Sequence, residues 1–134
     1  MGRMILAVIA VFVTRDVLNV LFYGVLSAEQ FKALQAAHPG IFREVVPAYV
    51  ATDLIFAIIF VLFLMKVLPT FGGGLGGGVK AGIYVALLGA VLGDVYMYYG
   101  VTYMTPGMLV ADMVFQLVSH TIQGAVGGLL LSRK

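Results

Sequence analysis

The amino-acid sequence predicts an all-α polytopic membrane protein, a bundle of four transmembrane helices with a short interfacial helix between the first two. Composition is the first reason: 62% of the 134 residues are hydrophobic and 10% are charged, whereas a soluble domain carries about a quarter charged residues. The second reason is that four apolar stretches reach the length of about 20 residues that a helix needs to cross a bilayer. Such a chain is neither a soluble domain nor intrinsically disordered. Because it has no cysteine, it has no disulfide, iron–sulfur or zinc–thiolate chemistry.

The predicted spans cover residues 4–26, 45–68, 79–102 and 106–131 of a single domain that extends over residues 1–134. Pro47 falls in the first turn of the second span, where its missing amide hydrogen costs little, and Pro106 opens the fourth span. Arg3 before an apolar run also fits a signal peptide, but no small-residue cleavage site follows. We therefore expect the first span to be retained.

The connections between the spans differ in kind. Ser27 and Gln30 have the spacing of a capping box, which predicts a short polar helix to about Ala37 at the membrane interface. Six glycines within residues 72–78 predict a flexible turn. A phosphate-binding loop is disfavoured there, because the Gly-Lys-Ser/Thr ending is missing. Residues 103–105 form a short connection that makes the third and fourth spans antiparallel neighbours.

Basic residues that flank the spans predict the orientation, because such residues are enriched on the cytoplasmic side of membrane proteins. One side of the predicted bundle has Arg3, Lys66, Lys80, Arg133 and Lys134, and the other has Lys32 and Arg43. Both termini and the glycine-rich segment are therefore expected in the cytoplasm of a bacterial inner-membrane protein. No run of like charge occurs, so nothing in the sequence supports nucleic-acid binding.

Each predicted span carries one aspartate: Asp16, Asp53, Asp94 and Asp112. A rise of about 1.5 Å per residue places all four in the outer half of the membrane, at depths of about 9–15 Å. Ionisable side chains inside a bilayer are costly and are therefore functional candidates. Other polar residues lie at helical spacing from them, and the candidate buried polar cluster comprises Arg15, Asp16, Asn19, Tyr23, Asp53, Asp94, Tyr98, Asp112, Gln116, Ser119, His120 and Gln123.

The cluster has more acids than bases. Four ionised aspartates and Arg15 would sum to a charge of −3, which a dry interior does not tolerate. Protonated carboxyls, entry of water or a cation, or a second chain would each resolve the imbalance. The cluster is open to three interpretations: an ion-pair network that only fixes helix register, a proton or cation pathway, and a ligand pocket.

The position of Arg15 predicts its partner. Asp16 points about 100° away from Arg15 around a helix. Arg15 is therefore expected to pair with Asp94 or Asp112 across the bundle. Asp53 is then the first candidate for an unpaired, proton-carrying carboxyl.

His120 and a set of small residues on the third span are two further features, and each can be explained by packing or hydrogen bonding within the bundle. His120 could ligate a haem iron or a chlorin magnesium, or it could form hydrogen bonds within the polar stripe of the fourth span. Small residues on the third span form a ridge that lets helices approach closely, namely Gly82, Ala86, Gly89, Gly93 and Gly100. No serine or cysteine nucleophile has a histidine base at a recognisable motif, so catalysis has no positive support.

The segment from Asn19 to Leu26 and the short helix after it resemble a group of small uncharacterised bacterial four-span membrane proteins, a domain of unknown function. Those proteins carry an acidic residue and then His-Gly-x-Leu at the end of the first span. The matching positions here are Asn19, Tyr23, Gly24 and Leu26, so the acid and the histidine are both replaced. The resemblance implies the four-span architecture and no particular activity.

We expect a non-enzymatic integral membrane protein that acts as an accessory or scaffold subunit. Its expected partners are membrane lipids and either further copies of itself or a larger membrane complex, and the sequence requires no cofactor. One alternative is a small dimeric transporter coupled to protons or cations. Another is pigment or haem binding through His120.

Overall fold

The computed structural model describes residues 1–41 and 46–132, and this part of the chain is helical with no strands. Four helical segments are long and apolar enough to cross a membrane: Gly2–Leu26, Val46–Phe71, Gly74–Gly100 and Pro106–Ser132. The predicted all-α, four-helix membrane architecture is therefore confirmed. Arg43, Arg133 and Lys134, on which the predicted orientation partly depends, lie outside the described residues.

Two of the four spans contain a π-helical segment, which the sequence patterns did not predict. The described elements follow in the order α1 Gly2–Asn19, π1 Val20–Leu26, α2 Ala28–Ala37, α3 Val46–Phe71, α4 Gly74–Val85, π2 Ala86–Val91, α5 Leu92–Gly100 and α6 Pro106–Ser132. Thus α1 and π1 form the first span, and α4, π2 and α5 form the third. Single π turns inside helices often occur at functional sites.

The glycine-rich segment is not the flexible turn predicted for residues 72–78. Only Gly72 and Gly73 turn, and Gly74 already begins α4. The helix α3 also continues beyond the predicted end at residue 68. It stops because Gly72 has a φ of 93° and the backbone N–H of Gly73 donates to the Leu68 carbonyl at 2.8 Å, a glycine-dependent helix ending.

The glycines of this segment instead form a close helix contact with α6. Gly78 on α4 faces Gly124 and Gly128 on α6, and a Cβ added to Gly128 would lie 2.8 Å from the Gly78 Cα. A Cβ on Gly82 would likewise clash with the α6 backbone. Because only glycine permits this approach, the two helix backbones touch directly. Low helix propensity is overridden here by packing.

The predicted small-residue ridge on the third span is only partly used. Gly82 and Ala86 are buried within the bundle. In contrast, a Cβ on Gly89, Gly93 or Gly100 would meet no atom of the described chain within 4 Å. The close contact therefore extends from Gly82 toward the start of α4 rather than toward α5.

An apolar core fills the half of the bundle in which α1 begins and α3 ends. Its buried residues are Ala7, Val11, Ala57, Phe60, Val61, Leu64, Leu68 and Ala81. Gly127 on α6 completes this packing, because a Cβ there would lie 2.5 Å from the Leu64 side chain. The cytoplasmic half, in the predicted orientation, thus has an apolar interior.

The helix α2 begins without the predicted capping box. Ser27 precedes it, but its side chain caps no backbone amide of the described helix. The Ser27 backbone N–H instead donates to the Phe22 carbonyl at 2.8 Å and closes π1. Leu34 is turned inward and buried, while Glu29 and Lys32 form an exposed ion pair at 2.9 Å. This division of apolar and charged residues is what an interfacial helix requires.

Candidate functional site

The only arginine of the predicted cluster is bound by α3. Arg15 Nε donates to Asp53 Oδ1 at 2.6 Å, and Asn19 Nδ2 donates to Asp53 Oδ2 at 3.1 Å. Arg15 and Asn19 are four residues apart and therefore share one face of α1. The side chains of the ion pair are 18% and 13% exposed, so both partners are largely buried.

This ion pair corrects two predictions. Arg15 pairs with neither Asp94 nor Asp112, and Asp53 is not the unpaired carboxyl of the cluster. The reason is that α1 packs against α3 as well as α6, and the face of α1 that carries Arg15 and Asn19 meets α3 at Asp53. Asp16 lies close enough to interact with both Asp53 and Arg15. Of these two carboxyl groups, Asp53 is the one that forms an ion pair with the Arg15 guanidinium.

Phe56, one turn after Asp53, connects the ion pair to α6. The Arg15 guanidinium carbon lies 4.2 Å from the centre of the Phe56 ring, within the range of a cation–π interaction. The same ring packs edge-to-face with His120, with 5.3 Å between ring centres. The three-residue spacing of Phe56 from Asp53 predicts that both lie on one helix face, but the predicted cluster was chosen for polar residues and left this ring out.

A second polar group joins π1 to α6. Tyr23 Oη donates to Asp112 Oδ1 at 2.5 Å, and Gln116 Nε2 donates to Tyr23 Oη at 3.4 Å. Tyr23 lies in π1, and a π turn changes the direction of the side chains that follow it. Asn19 and Tyr23 are also four residues apart, yet Asn19 contacts α3 whereas Tyr23 contacts α6.

Asp94 lies beside Asp112 at the start of α5 and interacts with it directly. Its Oδ2 atom is buried and has no hydrogen-bond partner among the described residues. No lysine or arginine in residues 1–41 and 46–132 forms an ion pair with either carboxyl. These two aspartates, called the Asp94–Asp112 pair below, therefore hold the excess acid of the cluster.

The remaining polar residues of α6 are fully enclosed. Ser119, His120 and Gln123 are 1%, 4% and 0% exposed, and Gln123 Nε2 donates to Ser119 Oγ at 2.8 Å. The His120 Nδ1 atom lies 2.8 Å from the Gln116 carbonyl oxygen, so a proton on Nδ1 would be donated within the helix. Binding of a haem or pigment at the other ring nitrogen stays a prediction, which the absorbance spectrum of the purified protein tests.

Tyr98 is a predicted site residue that the structure leaves outside the cluster. Its ring is half-buried and packs edge-to-face with Tyr99, with ring centres 5.4 Å apart. No hydrogen bond joins it to the other site residues within the described part of the chain. Among those residues, no group of three or more His, Asp or Glu side chains is arranged to hold a metal ion either.

Cavities lie at both ends of the described bundle. A cavity of about 160 Å³ lies where π1, α2 and the beginning of α6 meet, and Tyr23 and Asp112 belong to its lining. A larger cavity of about 440 Å³ lies at the other end, where Met65, Leu68 and Leu131 contribute to its lining. Of these two, the smaller cavity is the relevant one, because its lining includes residues of the polar cluster.

The fold and the site define a four-helix membrane protein with an acid-rich polar cluster inside one half of its bundle. Comparison of the chain with known protein families, with curated proteins and with solved structures finds no match.

Proposed function

We propose that the protein is a small, non-enzymatic membrane carrier that takes up a proton or a cation at the Asp94–Asp112 pair. The observation that supports this most directly is the absence of a basic partner for the pair in the described residues, while Arg15 is engaged by Asp53. Two adjacent carboxyls cannot both stay ionised in a poorly hydrated site. The pair needs one positive charge, and the described chain supplies none.

The surroundings of the pair favour a single negative charge. The Tyr23 hydroxyl donates to Asp112, and a hydrogen bond to a charged acceptor is stronger than one between neutral groups. The Asp94 Oδ2 atom has no such donor among the described residues. The Asp112 carboxyl is therefore held by a donor, while Asp94 has an oxygen atom available to take up a proton or to contact a bound cation.

The difference between the two halves of the bundle favours entry of the proton or cation to the Asp94–Asp112 pair from one side. The cavity beside Tyr23 and Asp112 lies at the α2 end, whereas the other half contains the apolar core and the glycine contact between α4 and α6. A carrier needs such a seal on one side of its site at a time. Tyr23 lies within π1, and π2 ends three residues before Asp94. A π turn is a place where a helix can change register.

In the membrane, we place the α2 end outside and both termini in the cytoplasm of a bacterial inner membrane, following the basic residues that flank the spans. The cation would then enter from the periplasmic side. A fusion of a cytoplasm-dependent reporter after the last span should be active. Activity of a periplasm-dependent reporter at that position would reverse the direction of access.

The carrier proposal is tested with purified protein in liposomes that contain a pH-sensitive dye. An imposed potassium-diffusion potential or sodium gradient should change the internal pH faster with wild-type protein than with empty liposomes. Asp94→Asn should remove the difference, and Glu29→Gln, which changes an exposed acid on α2, should retain it. Wild-type protein that moves neither protons nor cations under any imposed gradient would exclude a carrier.

A second candidate function is that of an accessory or scaffold subunit in a homo-oligomer or a larger membrane complex. The observation that favours it is the open face at Gly89 and Gly93, where an added Cβ meets no atom of the described chain. Exposed Tyr96 lies near this face, and small residues beside aromatic ones suit close helix contacts between chains. In mild detergent, Gly93→Leu should then reduce the mass of the complex measured by light scattering. A wild-type protein that is monomeric and co-purifies with no other chain would contradict this function.

A further inference from the structure

The cavity at the α2 end has a lining that is unusual for a site of metal or proton binding alone. It measures about 160 Å³ and lies between π1, α2 and the start of α6. Its apolar lining includes aromatic rings and methionines, among them Phe31, Tyr103 and Met108. Its acidic member is Asp112, which accepts a hydrogen bond from Tyr23.

We propose that this cavity binds a small alkylammonium cation, with its positive charge next to Asp112 and its alkyl groups against the aromatic and methionine side chains. The proposal deepens the function proposed above and rests on its cation site, but it does not require transport. Three features of the cavity carry it: charge, lining and size.

Charge comes first. Asp112 lines the cavity, and Asp94 lies behind it without a basic partner in the described chain. A neutral apolar ligand would remove water from the Asp112 carboxylate without compensating its charge. An anion would be repelled. A cation supplies the positive charge that the pair lacks.

The lining distinguishes an organic cation from a metal ion. Magnesium and calcium ions are bound by several oxygen atoms, carboxylates foremost. This cavity has one carboxyl, that of Asp112, and its other polar side chains, such as Ser27 and Gln30, are uncharged, while aromatic rings and methionines form much of the lining. Aromatic faces attract alkylammonium groups through cation–π interactions. Methionine side chains are polarizable and adapt to ligand shape.

Size limits the ligand. At about 30 Å³ for each water molecule in the liquid, the cavity holds the volume of about five waters. A tetramethylammonium-sized group fits this space, and a large planar dye does not. The same chemical group occurs in free amines and in the headgroups of choline and ethanolamine lipids. A lipid could reach the cavity if α2 lies at the interface as predicted.

The test is a calorimetric titration of the detergent-solubilised, lipid-depleted protein with tetramethylammonium chloride, compared with sodium chloride at equal ionic strength. Saturable binding of tetramethylammonium but not of sodium is expected. Phe31→Leu should weaken binding by about 2- to 30-fold, which is the range of one cation–π contact. Asp112→Asn should weaken it by more than about tenfold, and Glu29→Gln should leave it unchanged.

Each variant is first checked for a single symmetric elution peak and a wild-type-like helical signal. If Asp112→Asn does not fold, Phe31→Leu carries the test alone, because it retains the carboxylate. Absence of saturable tetramethylammonium binding at millimolar concentrations, or equal binding of sodium, would overturn the proposal. So would an affinity that is the same in Phe31→Leu and in the wild type.

A second arm separates the two sources of the ligand. Protein in nanodiscs of phosphatidylcholine should bind free tetramethylammonium more weakly than protein in nanodiscs of phosphatidylglycerol if the lipid headgroup occupies the cavity. Equal affinity in both identifies a free amine as the ligand. Proton movement without tetramethylammonium binding would refute the alkylammonium site but agree with the carrier proposal. Tetramethylammonium binding without movement of any proton or cation would support the site and refute the carrier proposal.

Discussion

Arg15 on α1 is paired with Asp53 on α3 at 2.6 Å, although Asp16 adjoins Arg15 in the sequence and Asp112 lies on another helix packed against α1. The pair is largely buried, and Phe56 packs on the guanidinium. A charge that loses its partner in such a place is left uncompensated. The stability of the α1–α3 contact therefore depends on both members of the pair.

Arg15→Ala should lower the free energy of unfolding by about 3–5 kcal/mol, because Asp53 would remain as a buried, unpaired charge. Combining it with Asp53→Asn should recover part of the loss. Lys32→Ala, which removes an ion pair whose side chains are 72% and 87% exposed, should cost less than about 1 kcal/mol. Denaturant unfolding in detergent, followed by circular dichroism, measures all three. Similar losses for Arg15→Ala and Lys32→Ala would show that Arg15 is hydrated.

The partner of Arg15 illustrates what the sequence could and could not predict. Hydrophobic length identifies the four spans. The spacing of Arg15 and Asn19 on α1, and of Asp112 and Gln116 on α6, shows which face of each helix is polar. Spacing within one helix does not show which neighbour that face meets. Both α3 and α6 contact α1, and the choice between Asp53 and Asp112 depends on how all the helices pack.

The glycine-rich segment shows a different limit of structure prediction from the sequence. Glycine has a low intrinsic helix propensity, which argues against a helix at Gly74 and Gly78. Considered without its neighbours in space, the segment is therefore predicted to be a turn. Contact with α6 reverses that preference, because direct packing of two backbones is possible only without side chains. Propensity is a local property, whereas this contact joins residues about fifty positions apart in the chain.

Gly78→Ala should destabilise the protein, because its Cβ would meet the α6 backbone. The cost of forcing a methyl group into a close-packed contact is about 1–3 kcal/mol. Gly89→Ala is the matched control: its Cβ meets no described atom, and replacing glycine in a helix by alanine is favourable by about 0.5–1 kcal/mol. Thermal unfolding of the two variants should shift in opposite directions, and a shift of the same sign would argue against the α4–α6 contact.

Tyr23→Phe removes the hydroxyl that bridges Asp112 and Gln116. Asp112 would lose a donor in a partly buried site, with an expected loss of about 1–3 kcal/mol. Tyr96→Phe serves as the control, because Tyr96 is 79% exposed. Chemical unfolding in the same detergent compares them. If both changes leave stability unaltered, the Tyr23 hydroxyl is bound to solvent rather than to Asp112.

The last prediction separates the roles of two aspartates that the sequence treats alike. Asp53 accepts hydrogen bonds from Arg15 and Asn19, whereas Asp94 has a buried oxygen atom with no partner in the described chain. Asp53→Asn should therefore weaken the fold, because it removes the charge that compensates Arg15.

Asp94→Asn should have the opposite profile. It removes a carboxyl that no described base stabilises, so the unfolding temperature should stay the same or rise, while proton or cation uptake into liposomes should be lost. Measuring unfolding and uptake on the same preparations shows whether each aspartate stabilises the fold or takes part in uptake. Loss of uptake in Asp53→Asn at wild-type stability, with normal uptake in Asp94→Asn, would move the carrier site from the Asp94–Asp112 pair to the Arg15–Asp53 pair. In that case the acid excess beside α5 would only hold a fixed proton.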